Sequence, residues 1–312
     1  MSSGPGQRVL VEQMGDPAVF SVGPAPLDAS AFGERAGLVE VTLVAADILP
    51  LDRQIAAGKF PPAGAAPYQA GVSAVGRLQD GSLVSVQGGH HRMGFGRPGC
   101  FAERFLAPVG ACLPLPSGLD PLIAAAGAET TTTAHLLLHD HAVLAAGERV
   151  LVLGANGGVG RATVELAHAF GAEVIAASRR PTDLDVPDGV RVVGYDELAG
   201  LEANVIIDPV GGDVFTAAIR AGAFRCRHVF LGYPAGAMIQ FVLPLLMIAE
   251  HRILGVNEHA IPAADFMAAA RGALDALAAG VVHPVIAATH PLADVVAAFA
   301  SASSAGRTLL TP

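Results

Sequence analysis

Tryptophan is absent from the 312-residue sequence, tyrosine occurs three times, and lysine once against 18 arginines. The single lysine, Lys59 in "AAGKFPP", leaves Schiff-base chemistry one candidate. Its Gly- and Pro-flanked setting reads as an exposed loop. Charged residues make up only 15% of the chain and the net charge is −9. That balance argues against nucleic acid, whose binding rests on neutralisation of phosphates by Lys and Arg. Three cysteines, Cys100, Cys112 and Cys226, form neither a CxxC pair nor an even framework, which fits a reducing compartment. No apolar run reaches the roughly 18 residues of a membrane span. The opening "MSSGPGQRVLVEQ" lacks the basic segment and apolar stretch of a secretory signal. A soluble cytoplasmic protein is expected.

What is present is apolar: 52% of the residues, enough for a large core, in a chain long enough for about two domains. The first ~120 residues carry short strand-like runs between Gly, Pro and Asp, such as "RVLVEQ", "LVEVTLVAADI", "SLVSVQG" and "CFAERFLAP". "PLPSGLDP" at 114–121 is a Pro/Gly-rich break and a candidate junction. Beyond it a helix is expected in "LIAAAGAETTTTAHLLLHDH". Apolar strands then alternate with amphipathic helices: "RVLVLG", "AEVIAAS", "VRVVGY", "ANVIIDPV", "RHVFLGY" and "RILGVN". This alternation indicates a parallel sheet covered on both faces. The tail, ending in "GRTLLTP", resembles the first part and is expected to rejoin it.

"GANGGVG", residues 154–160, follows an apolar run and precedes the helical pattern "RATVELAHAF". A glycine-rich turn between a strand and a helix N-terminus is where a pyrophosphate binds, because backbone N–H groups and the helix dipole attract it. Gly154, Gly157 and Gly160 are spaced by three, and Asn156, Gly158 and Val159 fill the loop. The next strand ends in "AASRR". NAD-binding folds place an acid there, on the ribose 2′-OH. Here stand Ser178, Arg179 and Arg180, with no carboxylate before Asp183. Arginine forks suit a phosphate, so NADPH is favoured over NADH.

With these motifs in place the chain resembles the zinc-independent, quinone oxidoreductase-like (zeta-crystallin-like) branch of the medium-chain dehydrogenase/reductase superfamily. The similarity runs nearly end to end through "GERVLVLGANGGVGRATVELAHAFGAEVIAAS", "VIIDPVGGDVF", "LGVN" and "GRTLLTP". It implies an α/β fold: a GroES-like β-rich catalytic domain over 1–120, rejoined by 260–312, and a Rossmann doubly wound NADPH-binding domain over 121–259. It places Tyr195 beside the adenosine 2′-phosphate, and Thr133 and Val210 near the cofactor. Gly232 and Tyr233 in "LGYP", and Gly255 to Asn257 in "GVN", match segments that line the nicotinamide. Asp52, Tyr233 and Asn257 are the catalytic candidates. A homodimer through an edge strand of the Rossmann sheet, in the region from "RHVFLGY" to "RILGVN", is a further implication.

The departures are informative. Where zinc-dependent relatives carry ligands, this sequence has Leu49, Ser73 and Glu129, and the four-cysteine zinc lobe is absent, so no metal is expected. The pattern Asn-Pro-x-Asp reads "LPLD" at 49–52: Pro50 and Asp52 are kept, while Leu49 replaces the amide. No tyrosine follows Asp52, where enoyl-reducing relatives carry a proton donor. "GVSAVGRLQDGSLVSV" is about a dozen residues shorter than the family pattern, which implies a trimmed hairpin and an opened active-site cleft. Other constellations weigh less. His90 and His91 are adjacent, so they point to opposite faces if extended. His135 and His139 have zinc-like i, i+4 spacing but no accompanying glutamate, and His251 and His259 flank "GVN". There is no GxSxG elbow and no Tyr-x-x-x-Lys.

The reading is an NADPH-dependent, zinc-independent reductase of a quinone or an α,β-unsaturated carbonyl. An oxyanion donor is needed: a backbone N–H, Tyr233, Asn257 or the cofactor's ribose hydroxyl. One alternative is an NADPH-binding redox sensor or structural protein with little turnover. Another is a reductase of carrier-bound enoyl groups.

Overall fold

The computed structural model describes residues 6–33, 37–60, 64–301 and 306–312. The chain divides into two compact units, one running to Glu129 and completed by Pro284–Pro312, the other Thr130–His283. No helix among the described residues is long and apolar enough to cross a membrane.

Among the described residues the N-terminal part contributes β1 (Gln7–Gln13), β2 (Val19–Pro24), β3 (Leu38–Asp47), β4 (Tyr68–Gln69), β5 (Ser73–Arg77), β6 (Leu83–Gln87), β7 (Arg104–Pro108) and β8 (Cys112–Pro114). The second unit holds β9 (Arg149–Leu153), β10 (Glu173–Ser178), β11 (Arg191–Gly194), β12 (Ala203–Asp208), β13 (Gly222–Phe230) and β14 (Arg252–Gly255). The tail adds β15 (Ile286–Pro291) and β16 (Arg307–Thr311).

The first unit is built on two sheets, β2-β1-β4 and β15-β16-β3-β5-β6-β8, with β7 also paired to β3. Among the described residues, β15 and β16 run parallel and the other strand pairings of this unit are antiparallel. In β3 the alternation turns Val41 and Leu43 into a core shared with Val86, Phe101, Phe105 and Leu310. The shortened segment is a tight hairpin: Leu78 and Ser82 close the turn, Gly81 adopts φ +88, and Asp80 accepts from the Ser82 N–H at 2.9 Å. β16 is tied to β3 by a buried ion pair. Arg307 Nε donates to Asp47 Oδ2 at 2.8 Å, and its Nη2 reaches the same oxygen. Burial pushes the Asp47 carboxyl up to about 6 against the pull of Arg307. Lys59, by contrast, forms an exposed pair with Asp16 at 2.9 Å.

The second unit is one parallel sheet in the order β11-β10-β9-β12-β13-β14. Numbered within the unit this is 3-2-1-4-5-6, the doubly wound order whose ligand crevice opens at the carboxyl ends of the two central strands. β9 is buried from Val150 to Leu153, as a strand covered on both faces must be.

Both unit boundaries differ from those read in the sequence. Composition put the first junction at 120, but the division falls between Glu129 and Thr130, inside the helix Pro121–His135. The return lies at 284 rather than 260, because the helix Ala263–Ala278 buries Phe266 and Ala269 with Leu136 in the second unit.

Candidate cofactor site

β9 ends at Leu153 and the chain turns at Gly154 with φ +62, a left-handed conformation that favours glycine. A Cβ there would also stand 2.8 Å from Val210 Cγ2. The helix Gly158–Ala169 begins immediately beyond. At Gly160 a Cβ would lie 2.2 Å from the Gly154 carbonyl oxygen and 2.9 Å from Ala155 Cα. The helix start is therefore pressed onto the end of β9, closer than any side chain allows. Gly157 has ordinary extended backbone, and its Cβ would meet only the Gly154 oxygen, at 3.3 Å. Half-buried Asn156, Gly158 and Val159 complete the rim. The result is a cradle of backbone donors at a helix N-terminus, where an anion fits without further groups.

The neighbouring strands add to this cradle. Ser178, buried at the end of β10, donates to Asn156 Oδ1 at 3.3 Å and accepts from the Arg180 N–H at 3.2 Å. It ties the glycine loop to the arginine loop. Arg180 is held by Asp183 at 3.1 Å, both side chains exposed. Among the described residues no ion pair holds Arg179. Tyr195, just past β11, accepts the Gly154 N–H at 3.2 Å through its hydroxyl. Burial raises its pKa, opposed by that N–H and by the charge of Arg179. Three consecutive strands thus bring Gly154, Ser178 with Arg179, and Tyr195 to one place.

One important residue escaped the sequence reading. Asp208 closes β12, fully buried, and accepts the N–H groups of Val210 at 2.7 Å and Gly211 at 2.9 Å. Its other oxygen lies 3.2 Å from His228 Nε2, and Phe215 stacks on that imidazole with centroids 4.0 Å apart. The carboxylate thereby shapes the turn that carries Val210 to Gly154. Gly211 follows with φ +70, and a Cβ there would lie 3.0 Å from Tyr233 Cα, so Gly232 and Tyr233 are adjacent to the turn. The available signal was a charge ending the apolar run "VII" together with a histidine inside "RHVFLGY".

Further along the chain, Asn257 Oδ1 accepts the His259 N–H at 3.2 Å and caps the short turn Glu258–Ala260. Glu258 is bonded to the Thr133 hydroxyl, and burial pushes its carboxyl up to about 7. Thr133 and the "GVN" segment therefore meet. His251 does not join them: it packs on Gly222 at the start of β13, the opposite end of the sheet from the glycine loop.

No family model matches the chain. A quinone oxidoreductase-like protein 2 homolog from Nematostella vectensis is 32% identical over 215 residues, 64% of this chain and 59% of that protein. The match thus spans less than two thirds of that relative's length. The mouse quinone oxidoreductase-like protein 2 is 29% identical over 255 residues, 75% of this chain and 73% of that protein. Among solved structures, the quinone oxidoreductase of Thermus thermophilus, determined also in complex with NADPH, matches with a TM-score of 0.82 and 26% identity, covering 98% of this chain and 100% of that one. The chain is similar to members of the quinone oxidoreductase-like branch of the medium-chain dehydrogenase/reductase superfamily. Its first unit is the GroES-like part and its second the Rossmann part.

The structure also shows the surroundings of Asp52. This carboxylate, a catalytic candidate in the sequence, is buried and turned inward. It accepts the Leu49 N–H at 2.9 Å and also the Val72 N–H, and so fixes the start of the helix Pro50–Ala56. Burial pushes it up to about 8. Leu49 itself lies in an apolar cluster with Ile55, Val72 and Phe95, and Ser73 is buried in β5. His135 and His139 lie ring to ring at 4.5 Å. Among the described residues no group of three or more His, Cys, Asp or Glu converges as a metal ligand set would.

Proposed function

We propose that the protein is an NADPH-dependent, zinc-independent reductase of a quinone or an α,β-unsaturated carbonyl. The observation that carries this reading is the cradle of Gly154–Gly160 joined by Tyr195 and Arg179. Bound NADPH supplies the hydride. The chain's own residues bind and orient: the helix start at Gly158 takes the pyrophosphate, and Arg179 takes the 2′-phosphate. Asp208 holds the Val210 turn in place, and Tyr233, the amide of Asn257 or a backbone N–H donates to the oxygen on which negative charge develops. An apolar Leu49 offers no ligand to zinc. The free cysteines Cys100, Cys112 and Cys226 fit a reducing cytoplasm.

The test is a fluorescence titration with NADPH and NADH on the wild type and Arg179→Ala. A lost charge-assisted hydrogen bond of roughly 1.5–3 kcal/mol weakens NADPH binding about 10- to 100-fold and leaves NADH unchanged. Equal loss of both cofactors would remove Arg179 from the phosphate site. Asp52 is inward and Leu49 replaces an amide, so a second reading stands: a nucleotide-binding sensor with little turnover. NADPH oxidation on adding quinones or enones separates the two, and binding without turnover on any acceptor favours the sensor.

The reading includes a homodimer. β14 ends its sheet, and an edge strand invites pairing. In the chain between β13 and β14, Met238, Leu243, Met247 and Ile248 are each at least 70% exposed. Light scattering after size exclusion is expected to give a dimer for the wild type and a monomer for Leu243→Glu/Met247→Glu. A monomeric wild type would overturn the dimer.

A further inference from the structure

The first unit contains a cavity of about 500 Å³ between β1, the turn Ala29–Phe32, β7 and the segments at 64–69 and 95–98. Its lining combines Leu10, Phe32 and Phe105 with three arginines, Arg8, Arg97 and Arg104. We propose that this cavity binds a small organic carboxylate, with an aromatic or acyl body against the phenylalanines and its head on Arg8 and Arg97. Nothing in the dinucleotide reading uses this place. The glycine loop and the arginine loop belong to the other unit, and none of their residues lines the cavity.

Size is the first argument. Small-molecule sites are cavities of roughly 300–1,000 Å³, and this one, at about 500 Å³, lies in that range. The second argument is Arg8. Arg8 lines the cavity, and a planar guanidinium presents its donors in the fork that a carboxylate matches.

Charge selects between anions. Arg104 is already paired with Glu40 at 3.2 Å, and Asp28 stands on the same lining. The uncompensated positive charge is therefore small, which suits a monoanion better than a phosphate dianion. The walls are also fixed in advance. Phe32 and Phe105 are buried, and Gln69, also on the lining, donates to the Gly99 carbonyl at 2.6 Å. Little ordering is left to accompany binding.

The experiment is a titration of the whole protein with 2-naphthoate, its uncharged counterpart 2-naphthalenemethanol, and inorganic phosphate as competitor. Variants Arg8→Gln and Arg97→Gln are measured alongside, each checked for an unchanged circular dichroism spectrum. 2-Naphthoate is expected to bind with a Kd below about 1 mM. The alcohol is expected to bind at least about tenfold more weakly, and so is the naphthoate on either variant. Arg179→Ala should leave naphthoate binding unchanged, which keeps this result independent of the nucleotide assignment. The proposal is overturned if naphthoate does not bind up to about 1 mM, or binds wild type and both variants alike. Displacement by an equal concentration of phosphate overturns the choice of a carboxylate.

Discussion

Arg307→Met is expected to destabilise the protein by about 3–5 kcal/mol, the range seen when one partner of a buried ion pair is removed. Asp47 and Arg307 are 1% and 9% exposed, so the carboxylate left behind has neither water nor a cation. The loss should depend on pH. In the wild type the folded-state pKa of Asp47 is raised from 3.8 to about 6. A raised carboxyl contributes stability that is complete below the unfolded value and lost as pH rises through the folded one. Without Arg307 the downward pull disappears and burial alone acts, so the folded pKa moves higher still. The deficit of Arg307→Met should therefore be smaller near about pH 5 and larger near about pH 8. Urea unfolding followed by circular dichroism at both pH values measures it. Asp47→Asn/Arg307→Met should recover part of the loss at the higher pH, since an amide cannot be left charged. A loss below about 1 kcal/mol, or one that does not vary with pH, would show that the pair contributes no more than a surface pair does.

Gly160→Ala is expected to abolish dinucleotide binding. Its Cβ meets backbone, and backbone cannot swing aside as the end of a side chain can. Either the helix start recedes from β9 or the loop opens, at about 1–3 kcal/mol for overpacking. In both cases the N–H groups leave the positions that make the cradle. Gly157→Ala is the internal control, because one contact at 3.3 Å yields to a shift of a few tenths of an ångström. Thermal melts with and without saturating NADPH report both effects, since a ligand that binds only the folded state raises Tm. The expected order of ligand-induced shift is wild type, then Gly157→Ala, then no shift for Gly160→Ala. A full shift in Gly160→Ala would mean that the cofactor does not sit on this loop.

The parts that could be read in the sequence are those in which local chemistry and long-range packing say the same thing. The run "RVLVL" before four glycines gave the strand, the turn and the helix start. The alternation that followed gave a parallel sheet, and the 3-2-1-4-5-6 order completes it. Asp208 was missed because a strand-terminal aspartate looks the same whether it faces water or accepts two backbone N–H groups. Only the register of β12 against β13 brings His228 to it. The surroundings of Asp52 were hidden for a related reason: the sequence shows the residue in its motif but not its burial or the two N–H groups it accepts. The boundary at 284 was hidden because alanine-rich helices are alike in sequence wherever they pack. Contact between Phe266 and Leu136, 130 positions apart, assigns that helix to its unit.

The tie between Asp47 and Arg307 spans 260 positions, and this separation sets an order of events during synthesis. The GroES-like sheet is interrupted in the chain: β3 is made before the Rossmann unit, while β15 and β16 are made after it. The Rossmann unit is continuous from Thr130 to His283, so all six of its strands are available before the first sheet can be finished. Domains fold as units when their segments are present. The nascent chain must therefore carry β3 with one partner place unfilled, and a potentially charged Asp47 without its arginine, while the later-encoded unit folds.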